Sequence, residues 1–367
     1  MQIHPNSRPR LKRSVSIQTN PLNGKFRVGS GTRILWLPNS WNGITPTRLL
    51  NLLDGQHTVT QIGSKAGIGT APVIELVQEL RKHHLVDLFH TPISFAERYN
   101  PEVGHIEKIS DTESFPTDNS TDNFLRRIEI ECAASTFIDG DLDAGRSAVL
   151  QRRKFSILIF GKGRIVNTLY GALCASGFSN IKVINRLSPG HPDLKISATD
   201  LSGGFINQDH IGQSRRKTLA DLERGAALFP DSIQNFLKPD LAISIGAPTP
   251  DSLQRWVSEG TNHLLVQVFS SAEVRVGPFV IPGKTPCFRC VELSSETLAG
   301  QAKSPTPEVG VALSYAVASS IAADVSLQCA HKKTVFIATS ITYSMHEFHR
   351  PKEESWIKHP GCGCSWQ

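Results

Sequence analysis

Apolar residues recur in two rhythms along this chain, and the change falls near residue 155. Between residues 10 and 37, the β-like runs SVSIQTN, KFRVGS and RILWLP are separated by the turn signals PLNG and GSGT, which predicts three strands. Three helical stretches follow. TPTRLLNLLDG offers Thr45 as a cap, Pro46 at the first helical position and Gly55 as a stop, and TVTQIGSKAG is shorter. TAPVIELVQELRKHHL has Thr70 as cap, Pro72 in its first turn and an apolar stripe Val73, Ile74, Val77, Leu80. Three strands and three helices within about eighty residues fit a small winged helix–turn–helix.

From Phe155 the rhythm alternates. SILIF reads as a strand, IVNTLYGALCAS as a helix, IKVINR as a strand and TLADLERGAALF as a helix. LAISIG, PDSLQRWVSEG and HLLVQVF continue as strand, helix and strand. Short apolar runs alternating with helices predict a mostly parallel sheet covered on both faces. Beyond Glu273 come a hairpin, a long Ala/Ser-rich helix from Val309 to Leu327 and the β-like TVFIATSITYSM. The stretch SDTESFPTDNSTDN has little to bury and reads as linker. The resulting division is a winged domain over 1–92, a linker or transition over 93–150 and an α/β domain over 151–367.

Composition narrows this picture. Of 367 residues, 39% are hydrophobic and 20% charged, ordinary for a soluble globular protein. The N-terminus MQIHPNSRPRLKRSVSIQ has no apolar core behind its basic residues, so it is not read as a secretory signal. Asp324 interrupts the apolar window 309–327, which favours a buried helix over a membrane span. Cytoplasm is therefore expected. Residues 1–90 hold eleven Lys/Arg against four Asp/Glu, more than the whole net charge of +6, which points to an anionic partner there. Glu75 and Glu79 lie on the polar side of the third helix and disfavour a DNA-groove role.

Two patterns carry chemistry. Cys287 and Cys290 form CFRC, and Cys362 and Cys364 form CGC. Two such pairs complete a tetrahedral thiolate site, so a structural zinc is expected over a redox CxxC or a disulfide pair. His359 is an alternative ligand. The second pattern is the turn FGKGRIV after SILI, where Gly161 and Gly163 match the first two glycines of a dinucleotide-binding loop. Val166 stands in place of the third, and the second strand ends at Asn185 where a ribose-binding acid belongs. The residues leave two readings of the turn, a strand–turn–helix junction with no ligand and a nucleotide site, and a dehydrogenase ranks below both.

Strand, GxG-like turn, CxxC and terminal cysteine pair together resemble the superfamily of ThiF and the ubiquitin-activating enzymes. The runs GPFVIPGKTPCFRCVEL, HPGCGC and DLAISIGAPTPDSLQRWVSEGTNHLLVQV are similar to ThiF-like proteins of thiazole/oxazole-modified (RiPP) peptide biosynthesis. RPRLKRSVSIQ, RVGSGTRILWLP and LLNLLDGQHTVTQI look like their PqqD-like winged domain. The resemblance implies a non-catalytic accessory protein that binds a precursor's leader peptide and presents it to a separate YcaO-type cyclodehydratase. The alternative is an ATP-dependent adenylyltransferase acting on a peptide or carrier-protein C-terminus. In the family the leader adds as a strand along the third winged-domain strand, against the third helix. Carried onto this chain, that surface is Arg27, Arg33, Ile34, Leu35, Trp36, Leu37, Ile74, Val77, Gln78 and Arg81. Asn185 stands where the family has its ribose aspartate and Asp251 comes several residues late for its magnesium ligand, so beside the resemblance Gly161, Gly163 and Asn185 read as a vestigial nucleotide loop, with ATP not expected. The helix 309–327 fits a homodimer seam or a buried core helix equally.

Overall fold

The computed structural model describes residues 3–12, 15–20, 24–30, 32–89, 121–135, 145–184, 194–202, 205–229, 237–246, 248–294 and 308–364. The chain forms two compact units, Met1–Val149 and Leu150–Gln367.

In the first unit, β1 (Arg8–Leu11) precedes β2 (Ser16–Thr19), β3 (Phe26–Ser30) and β4 (Arg33–Leu37). Strands β2, β3 and β4 make an antiparallel sheet in that order. Among the described residues, β4 pairs only with β3 and is an edge. Helices α1 (Pro46–Leu50), α2 (Val59–Ala66) and α3 (Thr70–Lys82) follow. The α1 helix stops five residues short of Gly55, with Leu52 and Leu53 continuing in 3-10-type bonds. A reciprocal cap between Thr58 and Gln61 starts α2, and left-handed Gly67 ends it. Gly69, not Thr70, caps α3. Its buried stripe is Val73, Leu76, Val77 and Leu80, with Ile74 only half-buried. After α3, β5 (Val86–Phe89) returns to pair with β1, a ladder that the sequence pattern did not predict. The helix α4 (Thr121–Ser135) completes the unit, and α5 (Arg146–Lys154) runs across the boundary.

The second unit is built on β6 (Ser156–Phe160), α6 (Arg164–Ala175), β7 (Asn180–Ile184), α7 (Arg215–Ala226), β8 (Leu241–Ile245), α8 (Pro250–Ser258) and β9 (His263–Ser270). After these come β10 (Glu273–Val280), α9 (Phe288–Ser294), α10 (Val311–His331), β11 (Thr339–Ser344) and β12 (Lys352–Ser355). One sheet runs β12-β11-β10-β9-β8-β6-β7. Strands β7, β6, β8 and β9 are parallel, and β10 to β12 extend them antiparallel. Strands β6 and β8 are buried almost throughout, as central parallel strands should be. The long helix α10 is apolar enough by composition to cross a membrane, yet Leu313, Val317, Ile321 and Val325 are fully buried in the core that α6 shares. It is a core helix.

Candidate functional site

The chain leaves β6 and turns into α6 through Gly161, Lys162 and Gly163. Because β7 lies on one side of β6 and β8 on the other, the strand order reverses here. The carboxyl ends of β6 and β8 at such a reversal are the position where open α/β sheets bind ligands. The turn requires its glycines. Gly161 has φ +138°, and a Cβ there would meet the Ile245 carbonyl oxygen at 2.8 Å. Gly163 has φ +92° and caps α6 with no side-chain bond, which leaves the first helical N–H groups facing outward. Val166 is fully buried, and its Cγ2 lies 3.3 Å from where a Gly161 Cβ would stand. Its side chain therefore packs beneath the turn, where a third glycine would bring the helix closer. Asn185 lies outside the described residues.

Charged groups that the sequence pattern did not single out surround this turn. Arg164 donates from Nε to the Leu201 carbonyl at 2.8 Å and from Nη1 to the Val309 carbonyl at 3.0 Å. One turn later, Asn167 is fully buried. It donates to the Asp200 carbonyl at 3.0 Å and accepts from Arg215 Nη2 at 3.0 Å. Arg215 also pairs with the Asp200 carboxylate, whose second oxygen accepts from the Ser197 amide and hydroxyl at 2.9 Å. This buried cluster fixes the segment 197–215 against α6. The one local signal was Asn167, a polar residue on an apolar helix. Glu308 is exposed, and its Oε2 sits 3.4 Å from the direction a Gly163 side chain would take. Asp251 lies in the first turn of α8 and has no such position.

The four cysteines converge. Their sulfurs all lie within 4.8 Å of one another. Cys287 and Cys362 are 3.3 Å apart, as are Cys290 and Cys364, while Cys287 and Cys290 are 3.8 Å apart. Tetrahedral Zn–S bonds of about 2.3 Å set S···S edges near ~3.8 Å, so the group fits a zinc ion and could hold one. None of the spacings approaches a disulfide bond of about 2.05 Å. Desolvation alone would raise the Cys290 thiol pKa, but backbone hydrogen bonds from His359 and Cys287, together with the Cys364 and Cys362 thiols, bring the value below the ordinary one. His359 accepts from the Gly361 amide through Nδ1 at 3.1 Å, so its ring braces its own turn instead of joining the sulfurs.

In the first unit, β4 presents Trp36 half-exposed, directly across from Arg27 on β3. Arg33, Ile34, Leu35 and Ile74 are half-buried, and Gln78 is exposed. Leu37 and Val77 are corrected: both are closed into the core at 1% and 0% exposure and cannot touch a peptide. Strand alternation turns Leu37 inward into the core that Val28 shares, and Val77 lies on the buried stripe of α3 in that same core.

No protein-family model matches the sequence, and no curated protein matches it. Solved structures do. E. coli MccB with AMPCPP and the peptide MccA superposes with a TM-score of 0.66 at 15% identity, covering 98% of this chain and 99% of the other. E. coli MccB with ATP gives 0.64 at 15% identity, with 97% and 99% covered. The microcin C7 biosynthetic enzyme MccB in complex with N-formylated MccA gives 0.65 at 15% identity, again with 97% and 99% covered. The chain has the fold of MccB. This corrects the expectation of a non-enzymatic accessory subunit, because the architecture shared end to end is that of a biosynthetic enzyme. The expectation that ATP plays no part finds no support either, since that architecture has been crystallised with ATP. Nothing in these matches supports a YcaO partner.

Proposed function

We propose that this protein is an ATP-dependent adenylating enzyme acting on the C-terminus of a ribosomally made peptide. The observation that carries the reading is the strained glycine turn at the strand-order reversal, set in a fold shared over its full length with MccB bound to ATP and MccA. In this reading the outward N–H groups at the start of α6 receive the nucleotide's phosphates. Arg164 ties the flanking segments to that helix start, and the Asn167–Asp200–Arg215 cluster keeps the crossover segment rigid. A peptide carboxylate oxygen attacks the α-phosphorus, the bond to the β-phosphate oxygen breaks, and acyl adenylate and pyrophosphate result. The first unit reads as a PqqD-like winged domain that captures the peptide as an added strand on β4, with Arg27, Arg33 and Trp36 as its accessible side chains. Zinc in the cysteine group would supply no chemistry and would fasten the 359–364 turn to α9.

The test is ATP–pyrophosphate exchange by the purified full chain with short peptides encoded beside its gene. Exchange that requires a free peptide C-terminus supports the reading. No exchange, together with no ATP binding by the folded protein, overturns it.

A further inference from the structure

Two polar atoms on the antiparallel side of the large sheet are buried without a partner. Arg275 on β10 is 6% exposed and Gln267 on β9 is 8% exposed, and the two occupy directly paired positions. Arg275 donates from Nε to the Thr342 hydroxyl at 3.4 Å and pairs through Nη2 with Glu354 at 2.7 Å. Its Nη1 has no partner among the described residues, and neither has Gln267 Oε1. Native chains rarely leave a buried donor and acceptor unpaired, because each forfeits its hydration, and they do so where a ligand or water completes the bonds.

Register places this pair level with the glycine turn. Phe160 pairs with Ser244 and Ile245 with Val266, so Gly161, Ile245 and Val266 stand level across β6, β8 and β9, with Gln267 one residue beyond. Adjacent strands lie about 4.8 Å apart, which puts β9 about 10 Å and β10 about 14 Å from the turn. An extended peptide, at about 3.3 Å per residue, covers that distance in about three to four residues. Strand alternation sets Gln267 and Arg275 on the face opposite Val266 and Val274, which belong to the core. The half-buried rings of Phe269 and Trp356 flank the guanidinium, with centroids 4.9 and 5.4 Å from its central carbon. A free N–H and a free carbonyl oxygen complement one residue of an extended chain, which turns its own C=O and N–H to the same side. A bare anion fits less well, since Gln267 Oε1 repels it. We propose that Arg275 and Gln267 hold the backbone of the peptide substrate about three to four residues before its reacting C-terminus, with Arg275 Nη1 donating to a peptide carbonyl and Gln267 Oε1 accepting from a peptide amide. The inference rests on the adenylation reading above and adds to it a hold that is independent of side-chain sequence.

The test measures ATP–pyrophosphate exchange by the full-length protein against peptides in which single backbone amides near the C-terminus are replaced by esters, each deleting one N–H. In the wild type, one ester about three to four residues from the C-terminus should raise the peptide KM about ten-fold and leave kcat and the KM for ATP unchanged. Gln267→Met, which removes the acceptor at similar volume, should raise the KM of the all-amide peptide about ten-fold and lose its sensitivity to that ester. Arg275→Lys keeps the charge that Glu354 pairs with, and it should likewise raise the peptide KM with kcat unmoved. If Gln267→Met and the wild type respond equally to every ester, the two groups hold only buried water and the proposal is overturned. Should Gln267→Met fail to fold, the wild-type scan decides alone, and the absence of a sensitive ester at those positions overturns the proposal. If the wild type exchanges with no peptide, the adenylation reading fails first and this subsite falls with it.

Discussion

Gly161 shows how one residue joins fold and site. A side chain there would collide with the Ile245 carbonyl in a backbone region closed to most residues. Gly161→Ala should cost about 1–3 kcal/mol in urea denaturation and abolish ATP binding. Its identity was legible in the sequence; the carbonyl 84 positions later that makes it obligatory was not. His263 makes a different point. It is fully buried, donates from Nδ1 to the Thr261 carbonyl at 3.0 Å, leaves Nε2 without a partner among the described residues and packs beside Trp256. Burial depresses its pKa to about 4, against about 6.5 in an unfolded chain. The unfolded state therefore binds the extra proton between those values, and stability should fall by up to about 3 kcal/mol as pH drops from 6.5 through 4. His263→Gln should flatten that part of a denaturation–pH profile, and an unchanged slope would show that other groups set it.

At the scale of elements, the peptide edge proposed on β4 and the core stripe of α3 make opposite predictions. Trp36→Ala removes an exposed side chain on an edge strand. It should weaken peptide binding about ten-fold, near 1.4 kcal/mol, in fluorescence anisotropy, with the unfolding midpoint unmoved. Val77→Ala should behave oppositely, costing about 2 kcal/mol of stability. The helical stripe was read as Val73, Ile74, Val77 and Leu80, and packing chose Leu76 in place of Ile74. Both choices keep helical spacing, so only the neighbouring elements could decide between them. The α9 helix and the 360–362 turn depend on each other through four sulfurs. Elemental analysis should find one zinc per chain, and Cys287→Ser or Cys362→Ser should abolish it. Full zinc retention in either variant would remove that cysteine from the ligand set.

Across the whole molecule, two units with separate cores should unfold in two calorimetric steps, with chelation lowering the step that belongs to residues 150–367. A single step unaffected by chelation would contradict both the independence of the cores and the structural role of the metal. The sequence alone determined the alternation of strands and helices beyond residue 155, the glycine turn and the two cysteine pairs, because each is written within a few neighbouring positions. The absent third glycine and ribose acid are local features too, and they led the sequence to a vestigial reading where the proposal above has a nucleotide site. Tertiary structure decided the rest. It placed the turn at the reversal of strand order and brought Asn167, Asp200 and Arg215 together across up to 48 positions. It also set Glu308 before Gly163 from 145 positions away. Local periodicity fixes which face of an element is apolar. Which distant side chain meets that face depends on sheet order and on how the crossovers pack.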